Sequence, residues 1–121
     1  MIIVDTSIWV DHIRGIDTPL DEIVGSGLEM LHPFVFGELL LNGLPKDGLL
    51  AARLQGLKPA PVATPTDVAA FIVWAKLAGA GIGYVDTHLL AAARIVPNGL
   101  ILTQDKALLA QAKRFDLAYA P

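Results

Sequence analysis

The sequence of 121 residues contains no cysteine. Disulfide bonds, thiolate catalysis and zinc or iron–sulfur sites with cysteine ligands are therefore excluded. Long hydrophobic runs are also absent, because Glu29, His32 and Glu38 interrupt the most apolar stretch, residues 28–44. We expect no membrane-spanning segment. The opening residues MIIVDTS lack the basic region and the small-residue cleavage site of a signal peptide, so we expect a cytoplasmic protein with no membrane partner.

Charged residues are scarce, at 17%, while hydrophobic residues reach 54%. An average domain has about 25% charged residues. The net charge of −3 has the wrong sign for a generic basic protein that coats nucleic acid. Because so few charges cannot cover the surface, we expect an exposed apolar patch that a second copy of the chain or a partner protein covers.

The length indicates one domain, residues 1–121, without an internal repeat or linker. Apolar, β-branched runs alternate with helix-like patterns. Strands are predicted at residues 1–4, 28–31, 60–63 and 100–103, with an edge strand at 117–119. Helices are predicted from Thr6 to about Gly15, at 19–24, at 34–41 with Pro33 in the first turn, at 50–57, from a Thr66 cap to Ala75, from Asp86 onward, and at 108–115. This alternation predicts the α/β class, with a parallel sheet of about four to five short strands and helices on both faces.

Three aspartates lie where binding residues occur in such folds. Asp5 and Asp105 follow predicted strands, and Asp86 opens a predicted helix. Ligands of open α/β sheets bind at the carboxyl ends of the strands. Asp is also a preferred helix N-cap, so each aspartate taken singly has an alternative role in satisfying free backbone N–H groups.

Glu38 differs because it lies within the apolar helix FVFGELLL. A glutamate there is seldom buried without a partner. The alternative is a narrow solvent-facing stripe, with Asn42 one turn later on the same side.

Four acids brought to one end of a sheet would repel each other and raise each other's pKa unless a cation lay among them. With no Cys and no His pair at metal-ligand spacing, the oxygen donors favour Mg²⁺ or Mn²⁺. Such an ion supports hydrolysis of a phosphodiester. Glu38 would ligate the ion or position the attacking water.

The segments around these acids resemble the PIN-domain family, and in particular its VapC-type toxins of toxin–antitoxin pairs. The matching segments are Val4-Asp5-Thr6-Ser7, Pro33-x4-Glu38-Leu39, Gly-Ile-Gly-Tyr-Val before Asp86-x-x-Leu89-x-Ala91-Ala92-Ala93, and Thr103-x-Asp105. They occur in the family's order and cover essentially the whole chain.

The resemblance implies a metal-dependent endoribonuclease that acts on single-stranded RNA, forms a homodimer and is held inactive by a cognate antitoxin. Asp5, Glu38, Asp86 and Asp105 match the family's acidic catalytic and metal site. Thr6 and Ser7 match its first turn, and Thr103 matches a supporting hydroxyl.

Other residues have weaker assignments. Arg14 and Lys106 are candidates for RNA contact, Lys106 because it follows Asp105 directly. The histidines are expected to be surface or packed residues, and Trp9 and Trp74 to lie in the core or an interface, unless an exposed one stacks on a base.

Three alternatives to the nuclease stay open. A phosphoacceptor receiver domain needs an Asp closing the third strand, and a dehalogenase-type phosphatase needs Asp-x-Asp-x-Thr; the sequence shows neither. The third alternative is a PIN-like binding or assembly module without activity, in which the acids serve as helix caps.

Overall fold

A computed structural model describes residues 1–120 as an α/β fold built on a four-stranded parallel sheet. The strands are β1 (Ile2–Val4), β2 (Glu29–Leu31), β3 (Lys58–Pro59) and β4 (Leu100–Leu102), in the spatial order β3-β2-β1-β4. The helices are α1 (Thr6–Ile13), α2 (Pro33–Leu41), α3 (Leu49–Gln55), α4 (Pro65–Trp74), α5 (Tyr84–Ile95) and α6 (Lys106–Arg114), with a 3₁₀ turn at Pro19–Glu22. The predicted fold class is confirmed.

The strand β1 lies inside the sheet, and Ile3 pairs with Met30 on one side and with Ile101 on the other. All three β1 residues are buried, which is the pattern of a parallel strand covered on both faces. The helix α5 packs against β1 and β4, and α1 packs against α2. Since the strands are parallel, their carboxyl ends meet at one edge, which we call the carboxyl edge.

Several predicted boundaries are wrong. The helix α4 begins at Pro65, and Thr64 rather than Thr66 caps it by accepting a hydrogen bond from the Asp67 N–H. The third strand is Lys58–Pro59 rather than 60–63, because the chain pairs with β2 immediately after α3. The predicted edge strand at 117–119 is reduced to one parallel bridge between Ile101 and Ala118.

Two helix starts also differ from the prediction. Asp86 does not open α5, which begins at Tyr84 after an N-cap at Gly83. The predicted helix at 19–24 is only the 3₁₀ turn, which Thr18 and Asp21 hold in a capping box. No helix within residues 1–120 is both long and apolar enough to cross a bilayer.

Candidate functional site

Asp5 and Asp105 lie at the carboxyl edge and are joined by one hydroxyl. Thr103 Oγ1 donates to Asp5 Oδ2 at 2.7 Å and accepts from the Asp105 backbone N–H at 3.0 Å. Asp5 and Thr103 are both buried. The two strand ends that the sequence singled out are therefore connected, across a separation of 98 residues between Thr103 and Asp5.

Glu38 reaches the same place from α2. Its Oε1 accepts a hydrogen bond of 2.7 Å from Thr6 Oγ1, and Thr6 follows Asp5 directly. Asn42 lies one turn later, as expected, but its side chain donates to the Glu38 backbone carbonyl and not to the carboxylate. Packing of α1 against α2 thus brings Glu38 beside Asp5.

Asp86 completes the group, from the first turn of α5. Partial burial and the negative charges of Asp5, Asp105 and Glu38 raise the pKa of Asp86 to about 6. The pKa of Asp5 is also raised, chiefly by burial, although hydrogen bonds from Thr103 and Thr6 lower it. The four predicted acids therefore lie close together, because the charges of the other three reach Asp86. We call them the acid group.

Helix capping explains part of this arrangement. Asp5 caps α1 by accepting from the Thr6 N–H, and Asp105 caps α6 by accepting from the Leu108 N–H at 2.8 Å. The capping alternative is thus right for these two residues. It does not account for Glu38 or Asp86, because neither is an N-cap. Capping instead fixes the orientation of the Asp5 and Asp105 side chains within the acid group.

The charge of the acid group has no cationic partner in residues 1–120. The described part of the chain contains one histidine–carboxylate contact within 4.0 Å, between His12 and Asp21, and it includes none of the four acids. Carboxylate oxygens are the donors that Mg²⁺ and Mn²⁺ prefer. No three Asp, Glu or His side chains in that part are arranged to hold one ion together. Donor type and uncompensated charge therefore fit a divalent ion that keeps much of its water, as Mg²⁺ does, rather than a preformed cage.

Within residues 1–120, the other predicted residues make no hydrogen bond to this group. Ser7 is exposed on α1 and takes no part in the hydrogen bonds among the acids. Lys106 is exposed at the start of α6, next to Asp105. Arg14, at the end of α1, is exposed and lines an apolar groove.

That groove lies between α1, α2 and the segment leading into α3. It has a volume of about 390 Å³ and includes Ile13, Leu39, Leu44 and Leu50. On α2, Leu41 is 88% exposed. Apolar surface is thus exposed, as expected, and its cover by a second copy or a partner stays a prediction.

An aromatic cluster near the acids was not predicted. His88 packs against Phe34, Tyr84 and His32, with ring centroids 4.6, 4.7 and 6.4 Å away. His32 caps α2 by accepting from the Phe34 N–H, and burial lowers its pKa to about 4. The sequence spacing of His32 and His88, which are 56 residues apart, does not predict their contact. The His-Pro start of α2 does mark His32 as its N-cap.

The Asp86→Asn variant is expected to be more stable than wild type at neutral pH without divalent metal, by about 1–2 kcal/mol after allowance for solvent screening. Because folding raises the pKa of Asp86 from 3.8 to about 6, the wild type has its full stability below about pH 4 and loses part of it as the pH rises through about 6. The variant carries no charge there, so the difference should grow over this range and then stay constant.

Urea unfolding with a chelator, at about pH 4 and about pH 7, measures this difference. Asp17→Asn removes the same charge from an exposed site and should show no such dependence. An Asp86→Asn variant that is less stable than wild type at neutral pH would contradict the crowding of like charges.

Comparison with known proteins adds a second line of argument. No protein-family model matches the chain. The chain is similar to Ribonuclease VapC32 from Mycobacterium tuberculosis, strains CDC 1551 / Oshkosh and ATCC 25618 / H37Rv. In both cases the identity is 34% over 120 residues, which span 99% of this chain and 97% of the relative. The similarity therefore extends over every segment that contributes to the acid group.

Proposed function

Because this chain belongs to the VapC-type toxin ribonucleases, we propose that it is an Mg²⁺- or Mn²⁺-dependent endoribonuclease that hydrolyses RNA at the acid group. One observation carries the proposal. Four carboxylates from separate elements share the carboxyl edge, and within residues 1–120 no lysine or arginine lies within ion-pair distance of them. Such a set favours a divalent cation.

Asp5, Asp86, Asp105 and Glu38 would hold the ion, some of them directly and the others through water that the ion keeps. When bound, the ion supplies positive charge for the phosphate and acidifies water for attack. Thr103 fixes the Asp5 carboxylate, and Thr6 fixes one oxygen of Glu38. The other Glu38 oxygen has no protein partner in residues 1–120, so it can position the attacking water. In-line hydrolysis then gives a 5′-phosphate and a 3′-hydroxyl.

Attack by the RNA 2′-hydroxyl is the competing route, and it needs an exposed acid–base pair. The two histidines nearest the acids do not supply one, since both are buried and burial lowers the pKa of each. Burial therefore disfavours the protonated form of both rings. The chemistry of the residues at this edge favours hydrolysis by water.

We also propose the partners and location that this function requires. In the cytoplasm, a cognate antitoxin would cover the apolar groove and place a basic side chain among the acids. The groove supports this, because Leu39 lines it and follows Glu38 directly on α2. The exposed apolar surface supports a homodimer.

The capping roles of Asp5 and Asp105 favour one other candidate, a binding module without activity. That candidate predicts no cleavage of RNA and no stabilisation by Mg²⁺. The nuclease predicts both, because a ligand that binds only the folded state raises its stability.

Chelation tests the proposal directly. Incubation with an RNA pool and Mg²⁺ is expected to give cleavage that excess EDTA reduces by about a hundredfold or more and that added Mg²⁺ restores. Sequencing of the ends by ligation methods that require a 5′-phosphate should capture the products. Chelator-resistant cleavage, or ends that carry a cyclic phosphate, would contradict the mechanism.

A further inference from the structure

A second group of side chains gathers where α4, α5 and α6 end, at the opposite ends of α5 and α6 from Asp86 and Asp105. The Trp74 cluster consists of Phe71 and Trp74 of α4, Arg94 of α5, and Arg114 and Phe115 at the end of α6. Trp74 stacks on Phe115 with ring centroids 6.0 Å apart, and the Arg94 guanidinium lies 4.6 Å from the Trp74 ring centroid. Arg94 also lies within 5.5 Å of the Phe71 and Phe115 rings.

The cluster leaves groups free to bind a ligand. Trp74 is 64% exposed. Arg94 is exposed, and within residues 1–120 its side chain makes no hydrogen bond or ion pair. Arg114 has a structural role instead, because it donates to the Ala75 carbonyl at 2.6 Å and so ties α6 to the end of α4. The Arg94 guanidinium thus lies over the Trp74 ring, and both groups are exposed at the surface.

The local charge is positive in a protein whose net charge is negative. Exposed Lys76 and Lys113 adjoin the cluster in sequence, so four of the nine basic residues belong to this region. Asp67 and Asp116 border it. A second copy packed here across a two-fold axis would face cations with cations, whereas a polyanion would be attracted.

Two helices connect the cluster to the acid group. The helix α5 carries Asp86 in its first turn and Arg94 near its end, eight residues later. The helix α6 is capped by Asp105 and ends at Arg114, nine residues later. At 1.5 Å per residue, the cluster lies about 12–14 Å along these helices from the acids. A few nucleotides of extended single strand can cover that span.

We propose that the Trp74 cluster binds single-stranded RNA a few nucleotides from the bond that is cleaved. A base stacks on Trp74, and a phosphate oxygen accepts hydrogen bonds from Arg94. The acids repel phosphate until a metal ion is bound, so affinity for RNA has to come from elsewhere on the surface, and this cluster combines the two groups that single strands use. This inference rests on the proposed function.

Fluorescence anisotropy tests it with the full chain, EDTA and a fluorescein-labelled single-stranded RNA of about 12 nucleotides. We expect Trp74→Ala to weaken binding about tenfold. We expect Arg94→Gln to weaken binding about fivefold. In this variant, the fall of log affinity with log salt concentration should be less steep, by about 0.7 in the slope. Trp74→Phe keeps a ring and should restore most of the affinity. Val73→Ala changes an exposed residue next to Trp74, and Arg53→Gln removes an exposed charge outside the cluster. Both control variants should bind RNA like wild type.

Two results would overturn the inference and leave the proposed nuclease standing. One is unchanged RNA affinity in Trp74→Ala and Arg94→Gln while the wild type cleaves RNA with Mg²⁺. The other is a change of oligomeric state in either variant by light scattering, which would assign this face to a second copy. If the wild type neither binds nor cleaves RNA, the proposed function fails together with the inference. Thermal melts of each variant ensure that reduced affinity is read from folded protein.

Discussion

The Asp5→Asn variant is expected to lose RNA cleavage by about a thousandfold while it keeps its fold. Asp5 lies at the centre of the acid group, since Thr103 links it to Asp105 and the adjacent Thr6 bonds to Glu38. Asparagine keeps an oxygen that can accept from the Thr6 N–H and so preserves the cap of α1. It removes the charge on which divalent-ion binding depends.

The measurement is cleavage of an RNA pool by wild type and variant at equal concentration, with circular dichroism of both. Asp17→Asn removes a charge from an exposed position outside the acid group and should cleave like wild type. Should Asp5→Asn fold poorly, Asp86→Asn serves instead, because the same charge argument expects it to be stable and inactive. Full activity in a folded Asp5→Asn variant would refute the assignment of the site.

The Gly99→Ala variant is expected to unfold about 3 kcal/mol more easily than wild type. Gly99 is the residue before β4, and an added Cβ would overlap the Ala93 carbonyl oxygen and press on Val96 at 3.0 Å. Backbone must therefore move where α5 ends and β4 begins. Such a shift would also displace Thr103, so the acid group would lose its order together with the stability.

Urea unfolding compares this variant with Gly37→Ala, a control within α2. An added Cβ at Gly37 meets no atom within 4 Å, and alanine is favoured over glycine in a helix by about 1 kcal/mol. The two substitutions add the same methyl group and should move stability in opposite directions. Equal stability of Gly99→Ala and wild type would contradict the tight approach of β4 to α5.

Local pattern was sufficient to predict the parallel sheet and the positions of Asp5 and Asp105 at strand ends, but not the bounds of the third strand or the single bridge at the sheet edge. Asp5 and Asp105 follow short buried strands, and strand direction alone brings such residues to one edge. Glu38 was identifiable because a glutamate within an apolar helix is seldom buried without a partner. Its hydrogen bond to Thr6, 32 residues away, depends on how α1 packs on α2, which periodicity does not contain.

Tertiary packing decided the features that the sequence did not predict. Thr64 and Thr66 are equally good caps by type, and the chain path selects Thr64. His32 and His88 meet only because α2 and α5 approach each other. Trp74 fits a helical apolar pattern as well as any core residue does, yet its side chain stays largely exposed. The sequence pattern identifies which residues are apolar, but not which of them stay exposed at the surface.

The pairing of β1 with β4 also bears on how a cell can make this chain. The first strand leaves the ribosome early, and its hydrogen-bonding partner follows only after most of the remaining sequence has been translated. Because Thr103, which follows β4, bonds to Asp5, the proposed catalytic site cannot form on a nascent polypeptide that still lacks β4. The proposed nuclease would therefore stay inactive until β4 has been translated and paired with β1.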